Sequence, residues 1–176
     1  MNLTFRTTKS ALPYDIFVRL SVLDNQKVMD SISNQKTICI SGGFDPVHIG
    51  HLRMIQAAAK QGKVVVIVNS DDWLLRKKGY VFMPFAERCE LLEGFASVSE
   101  TVAVDDADNS VCEALERLKP DYFANGGDRK NNNTPEVELC QRLGIELLWN
   151  VGGGKIQSSS ELVNFNGNGE TPNPLK

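Results

Sequence analysis

No segment of this 176-residue chain approaches the roughly 20 consecutive apolar residues of a membrane helix. No run of lysine and arginine stands out either, and the net charge is −3. These two shortages argue against a membrane partner and against a nucleic-acid-binding face. Cysteine is also sparse. Cys39, Cys89, Cys112 and Cys140 are scattered without a C-x-x-C pair, so the ligand spacing of a protein-held metal is missing. Cys39 in a strand-like run and Cys89 in a helical one read as small core residues, and a reducing cytoplasm is the expected setting. Arg6, Lys9, Asp15 and Arg19 interrupt the N-terminal stretch, so no signal peptide is expected. Histidine, with tryptophan, is scarcest of all, with two of each in the chain.

What is present suffices for one domain, for which roughly 100–200 residues is usual; hydrophobic residues make up 41%. Residues 1–35 read as an N-terminal, mostly helical extension. Ile16, Phe17, Leu20, Leu23, Val28, Met29 and Ile32 recur at loose helical spacing. From Lys36 the rhythm changes. Thr37 to Ile40 reads as a buried strand ending at Gly42-Gly43. A helix is expected from about Gly50 to Gln61, stopped by Gly62. Lys63 to Asn69 carries a continuous β-branched run that suits a parallel sheet covered on both faces. Pro84 opens a helix to about Ala96, and Thr101 to Val104 is a third strand. A helix capped by Asn109 or Ser110 ends before Pro120. Asp121 to Ala124, a helix from Thr134 to Gly144, the strand Ile145 to Trp149 and a serine-capped last helix follow. Alternating strands and helices predict a Rossmann-like, doubly wound α/β fold: a parallel sheet of about five strands with helices on both faces. The domain should span residues 36–165, with a flexible tail over 166–176 rich in Asn, Gly and Pro. In such folds ligands bind beyond the C-terminal strand ends, which directs attention to the loop after the first strand.

That loop reads Ser41-Gly42-Gly43-Phe44-Asp45-Pro46-Val47-His48-Ile49-Gly50-His51. Both histidines fall here, three residues apart, on one side of a first helical turn. Gly42 and Gly43 let the backbone approach a ligand, and Gly50 keeps space open beside the rings. The helix start that follows directs free N–H groups and a positive dipole end at the strand termini, which suits phosphate. Two imidazoles there are placed to donate hydrogen bonds to charge developing on a phosphoryl group.

The pattern G-x-F-D-P-x-H-x-G-H after a first strand resembles the signature of the cytidylyltransferase-like nucleotidyltransferases, and the resemblance covers roughly residues 36–163. It implies transfer of AMP or CMP from ATP or CTP to a small phosphorylated substrate, a sugar phosphate or phosphoalcohol, with release of pyrophosphate. Asn69-Ser70-Asp71 resembles a loop of the heptose-phosphate branch. Lys77-Lys78-Gly79 and Glu87-Arg88 resemble a family stretch that implies a phosphate contact from Lys77 or Lys78 and places Arg88 near the site. Asn125-Gly126-Gly127-Asp128 resembles the G-G-D loop that lies beside the nucleotide base. Ser158-Ser159-Ser160 resembles a helix start that binds the outer phosphates. Here the pattern departs: the family arginine is missing, and Lys155 is the local cation.

The resemblance implies catalytic roles for His48, His51 and Lys78. Nucleotide contacts are expected from Gly42, Gly43, Phe44, Asp45, Gly50, Gly126, Gly127, Asp128 and Ser158 to Ser160, with orientation of the loop as the alternative role for Asp45. Lys77, Arg88 and Lys155 are expected on phosphate or substrate, with a structural ion-pair partner as the alternative for Arg88. Mg²⁺ is expected to travel with the nucleotide, without a protein-held metal site. Related enzymes are often dimers, so a homodimer fits. Two rivals stand: a non-catalytic nucleotide-binding regulatory protein on the same fold, and a fragment of an aminoacyl-tRNA synthetase, which also carries H-I-G-H. The chain lacks the K-M-S-K-S segment and basic face of the latter.

Overall fold

The computed structural model describes residues 35–127 and 134–163; the expected extension, the flexible tail and Asp128 lie outside them. The described elements alternate: β1 (Thr37–Gly42), α1 (Ile49–Ala58), β2 (Lys63–Val68), α2 (Asp71–Lys78), α3 (Phe85–Glu93), β3 (Glu100–Ala103), α4 (Cys112–Leu118), β4 (Tyr122–Gly126), α5 (Pro135–Leu143), β5 (Glu146–Val151) and α6 (Ser159–Val163). The strands form one sheet in the order β3-β2-β1-β4-β5, and every pairing is parallel. This is the doubly wound α/β arrangement expected.

Period-2 alternation sorts the strand residues between two cores. Ile38, Ile40, Val64, Val66 and Val68 face one side, packed with Met54, Ile55 and Ala58 of α1 and Leu92 of α3. Cys39, Val65 and Ile67 face the other, packed with Ala114 and Leu115 of α4 and Leu139 and Cys140 of α5. Because β1 and β2 are covered on both faces, their sequence is apolar without interruption. Cys39 and Cys140 are fully buried, and burial pushes the Cys39 thiol up to about 12 and the Cys140 thiol up to about 11.

Several boundaries differ from expectation for local reasons. α3 ends at Glu93 with Gly94 as its C-cap, three residues before Ala96. α4 has Val111 at its N-cap, although Ser110 Oγ accepts the Cys112 N–H at 3.2 Å. The larger difference is α2, which occupies a stretch read as loop. Ser70 caps it by accepting the Trp73 N–H at 3.0 Å. Asp71 and Asp72 occupy its first turn, and Arg76, Lys77 and Lys78 its last. Gly79 closes it at φ 80°, the left-handed conformation glycine adopts without steric cost. Among the described residues, no helix is long and apolar enough to cross a membrane.

From β1 the chain winds outward to β2 and β3, then returns to the other side of β1 for β4 and β5. The direction therefore reverses between β1 and β4, and the loops after these two strands part there.

Candidate active site

A cavity of about 380 Å³ opens at this reversal point, over the C-terminal ends of β1 and β4. Its floor is the histidine loop. Its walls are α2 on one side and the loops after β4 and β5 on the other.

The imidazoles are held by the start of α1. His48 is the N-cap, with extended backbone at φ −143° and ψ 173°. Its Nδ1 accepts the Gly50 N–H at 3.1 Å, and Nδ1 of His51 accepts the His48 N–H at 3.3 Å. Histidine thus fills the reciprocal cap that serine and glutamate usually make. A chemical consequence follows. An Nδ1 that accepts a hydrogen bond carries no proton, so each neutral ring carries its proton on Nε2 and presents it as a donor. The rings stack, with centroids 3.8 Å apart and planes 20° apart. Phe44, buried and at φ 51°, packs edge-on against His51 at 4.9 Å. A side chain added at Gly50 would place its Cβ 3.0 Å from Cε1 and Nδ1 of His48, so the glycine leaves room for that ring.

Both rings are kept neutral. Burial lowers the pKa of His51 to about 3, helped by its neighbours His48 and Lys78. Burial also lowers that of His48, with Lys78 adding to the effect and Glu161 opposing it. Lys78 donates to the backbone carbonyl of Asp45 at 2.9 Å. Its own pKa is lowered, chiefly by burial, against the pull of Asp45. Lys77 lies over the Trp73 ring, 4.3 Å from its centroid.

The structure gathers most of the expected residues. Gly42, Gly43, Phe44, Gly50 and both histidines line the cavity floor, and Lys77 and Lys78 its α2 wall. Gly126, Gly127, Lys155 and Ser158 to Ser160 line the opposite wall. Ser158 caps α6: its N–H donates to Glu161 Oε2 at 3.1 Å and its Oγ accepts the Glu161 N–H at 3.3 Å. Ser159 Oγ donates to the Pro46 carbonyl at 2.9 Å, tying this wall to the histidine loop.

Two expectations are corrected. Arg88 is not available to a substrate phosphate, because its side chain is wholly buried. Its guanidinium donates to the carbonyls of Met83 (3.0 Å), Gly43 (2.7 Å) and Asn69 (2.9 Å) and to Asp71 Oδ1 (2.6 Å). It is a rivet beneath the cavity, joining β1, β2, α2 and the segment before α3. Asp45 is likewise not a nucleotide contact: it is fully buried, and its two carboxylate oxygens accept the N–H groups of Phe82 (2.9 Å) and Met83 (2.7 Å). It fastens the segment after α2 to the histidine loop, which positions Lys78.

Other participants escaped the sequence. Trp73 and Met54 line the cavity. Asp106, nearly buried, receives Asn69 Nδ2 (3.1 Å) and the Ser70 N–H (2.8 Å) and hydroxyl (2.7 Å), fixing the start of α2. The Ser70-Asp71-Asp72 cap before a basic turn and Gly79 could have revealed α2, and with it Trp73. No signal marks Asp106, which lies 36 residues from its partner Ser70 in an irregular loop.

Comparisons with known proteins agree with this architecture. A model of the cytidylyltransferase-like family matches residues 39–148. The bifunctional protein HldE of Streptomyces coelicolor is 38% identical over 116 residues, which cover 64% of this chain and 25% of that protein. FAD synthase of Ferroglobus placidus is 30% identical over 111 residues, 63% of this chain and 72% of that protein. The chain thus matches only about a quarter of the length of the first relative and nearly three quarters of the second. Among solved structures, the lipopolysaccharide core biosynthesis protein from Thermoplasma volcanium superposes with a TM-score of 0.55 at 22% identity, over 66% of this chain and 96% of that one. At that identity the likeness speaks for the fold alone.

Proposed function

Because the chain belongs to the cytidylyltransferase-like family, we propose that it transfers AMP or CMP from ATP or CTP to a small phosphorylated acceptor. The observation that carries this reading is the pair of stacked imidazoles at the start of α1, held neutral with their Nε2 protons as donors beside Lys78.

The chemistry asks for positioning and charge neutralisation more than for a covalent partner. An oxygen of the acceptor's phosphate attacks the α-phosphorus of the nucleotide. A new P–O bond forms as the bond to the β-phosphate oxygen breaks, and pyrophosphate leaves. The attacking phosphate is already anionic, so no general base is needed. Nε2–H groups of His48 and His51 donate to the oxygens on which charge grows. Backbone at Gly43 and Phe44 approaches the triphosphate, and Lys78 neutralises it from the α2 wall. Gly126 and Gly127 flank the base, while Lys155, Ser158 and Ser159 face the departing pyrophosphate. The described lining carries no carboxylate, and the described residues contain no cluster of metal-ligating side chains. Mg²⁺ would enter with the triphosphate on phosphate and water ligands and help neutralise its charge there.

The test is a matrix of ATP, CTP, GTP and UTP against phosphosugars, phosphoalcohols and phosphopantetheine, following pyrophosphate. Turnover with at least one pair is expected, and His48→Ala or His51→Ala should each lower kcat by about 10²–10³-fold. Nucleotide binding without turnover across the matrix, or double-alanine turnover equal to wild type, would remove the proposal.

A further inference from the structure

The wall opposite α2 contains two glycine turns, and one side chain joins them. Gly126 ends β4 and Gly127 follows it, while Gly152 to Gly154 follow β5; all five line the cavity. Both turns press on α1. A Cβ at Gly126 would lie 2.5 Å from Met54 Sδ, and one at Gly152 would lie 2.7 Å from Cα and 2.8 Å from N of Met54. At Gly152, therefore, backbone meets backbone. Glycine loses more conformational freedom on ordering than any other residue, so a wall built of it is loose unless something fastens it.

Asn150 is that fastening. The pairing of β4 with β5 steps from Ala124↔Leu148 to Gly126↔Val151, two residues along β4 against three along β5. β5 therefore bulges opposite Asn125, and a bulge re-aims a side chain. Asn150 sits in it at φ 56°, a left-handed conformation that asparagine adopts more readily than most residues. One end of its amide has the carbonyl oxygens of Gly127 at 3.0 Å and Gly153 at 3.1 Å. An amide end that faces two acceptors is the NH₂ group, so Nδ2 donates to both. The backbone carbonyl of Asn150 also accepts the Gly153 N–H at 3.2 Å, closing a turn over 150–153. One residue thus holds the turn after β5 and ties it to the turn after β4.

Resting on the nucleotidyl-transfer reading, in which Gly126 and Gly127 flank the base, we propose that Asn150 is a positioning residue for the nucleotide. Its amide sets the spacing of the two glycine turns before the nucleotide arrives, so binding does not have to order them. Asn150 does not itself line the cavity. It acts through the backbone of Gly127 and Gly153, away from the histidines where the phosphoryl group reacts. Its influence therefore falls on nucleotide affinity and not on the chemical step.

Two variants separate the amide from the backbone. Asn150→Gly keeps the left-handed turn and removes the donors. Asn150→Asp keeps the size of the side chain and turns a carboxylate toward two carbonyl oxygens. The full chain is titrated calorimetrically with ATP and with CTP. For the nucleotide that wild type binds more tightly, Kd should rise by about three- to tenfold in Asn150→Gly, as expected for one or two hydrogen bonds of an exposed side chain, and further in Asn150→Asp. In turnover the nucleotide KM should follow Kd, while kcat and the acceptor KM hold within about twofold. Tm of Asn150→Gly should stay within about 4 °C of wild type, which keeps the test readable if the aspartate variant does not fold. A residue that only shapes its own turn behaves otherwise: Asn150→Gly would then bind both nucleotides as wild type does, and that result would overturn the proposal. So would a loss confined to kcat or to the acceptor KM. A shifted Kd with no pyrophosphate from any nucleotide and acceptor pair would leave the clip standing and remove nucleotidyl transfer. Failure of wild type to bind either nucleotide would overturn both.

Discussion

Replacing Arg88 discriminates sharply between a structural and a substrate-binding guanidinium. Arg88→Met removes four donors from a site with no solvent access, leaving the carbonyls of Gly43, Asn69 and Met83 and one oxygen of Asp71 without their partner. A lost partner costs a buried polar group about 1–3 kcal/mol. Asp71 retains 39% side-chain exposure, so water offsets its share, and the carbonyls relax in part. A net loss of about 3–5 kcal/mol is expected, in line with breaking a buried ion pair. For a chain of this size each kcal/mol lowers Tm by about 2–4 °C, so the midpoint should fall by about 6–20 °C. Arg88→Lys should fall between, because one ammonium cannot reach four acceptors arrayed around a planar fork. The assay is thermal melting followed by fluorescence, with urea unfolding at constant m-value as the check that the folded state is comparable. A guanidinium that gripped substrate would behave oppositely. Arg88→Met would then melt within about 2 °C of wild type, below the shift of a single kcal/mol, and show a raised acceptor KM. That outcome would refute the rivet.

Gly50→Ala should separate activity from stability. Alanine favours a helix over glycine by about 1 kcal/mol, yet its Cβ would press on the His48 ring at 3.0 Å. Tm should hold or rise while kcat falls by about tenfold or more; unchanged kcat would mean that the ring's position does not matter. His51 should also leave a mark on acid stability. Its ordinary pKa of 6.5 drops to about 3 in the folded chain. Below pH 6.5 the unfolded imidazole therefore takes up a proton that the folded one refuses. The stability this site contributes is full above that pH and declines toward pH 3, by at most about 1.4 kcal/mol per pH unit. Urea unfolding between pH 6 and 4.5 should show a gradient shallower by up to one proton in His51→Asn; identical gradients would rule out a buried neutral ring.

The loop from Ser41 to His51 was legible because its chemistry is local. Histidines three apart around a glycine, after an apolar strand and before a helix, meet at one helix start whatever lies beyond. β2 was legible from its unbroken β-branched run. α2 was not, because it buries only Leu74 and so lacks an apolar stripe. Its signals are instead the Ser70 cap, acids in the first turn, bases in the last, and Gly79. The structural roles of Arg88 and Asp45, open in the sequence, could not be decided there for a different reason. Their partners lie between 5 and 45 residues away for Arg88, and 37 and 38 away for Asp45, and nothing in the spacing of either says which way the side chain turns.

By itself the sequence determined the α/β alternation, the strand that ends in the histidine loop and the fact that both imidazoles share one helical turn. Each follows from periodicities of 2 and 3.6 residues within short stretches. Only the tertiary structure decided which charged groups face the cavity and which hold it together from below. Lys78 reaches the site and Arg88 lies under it because β1, β2 and α3 converge there, and that convergence depends on strand order and on contacts tens of residues apart. The same convergence partly buries the rings, and this burial, more than residue type, makes His51 a neutral donor.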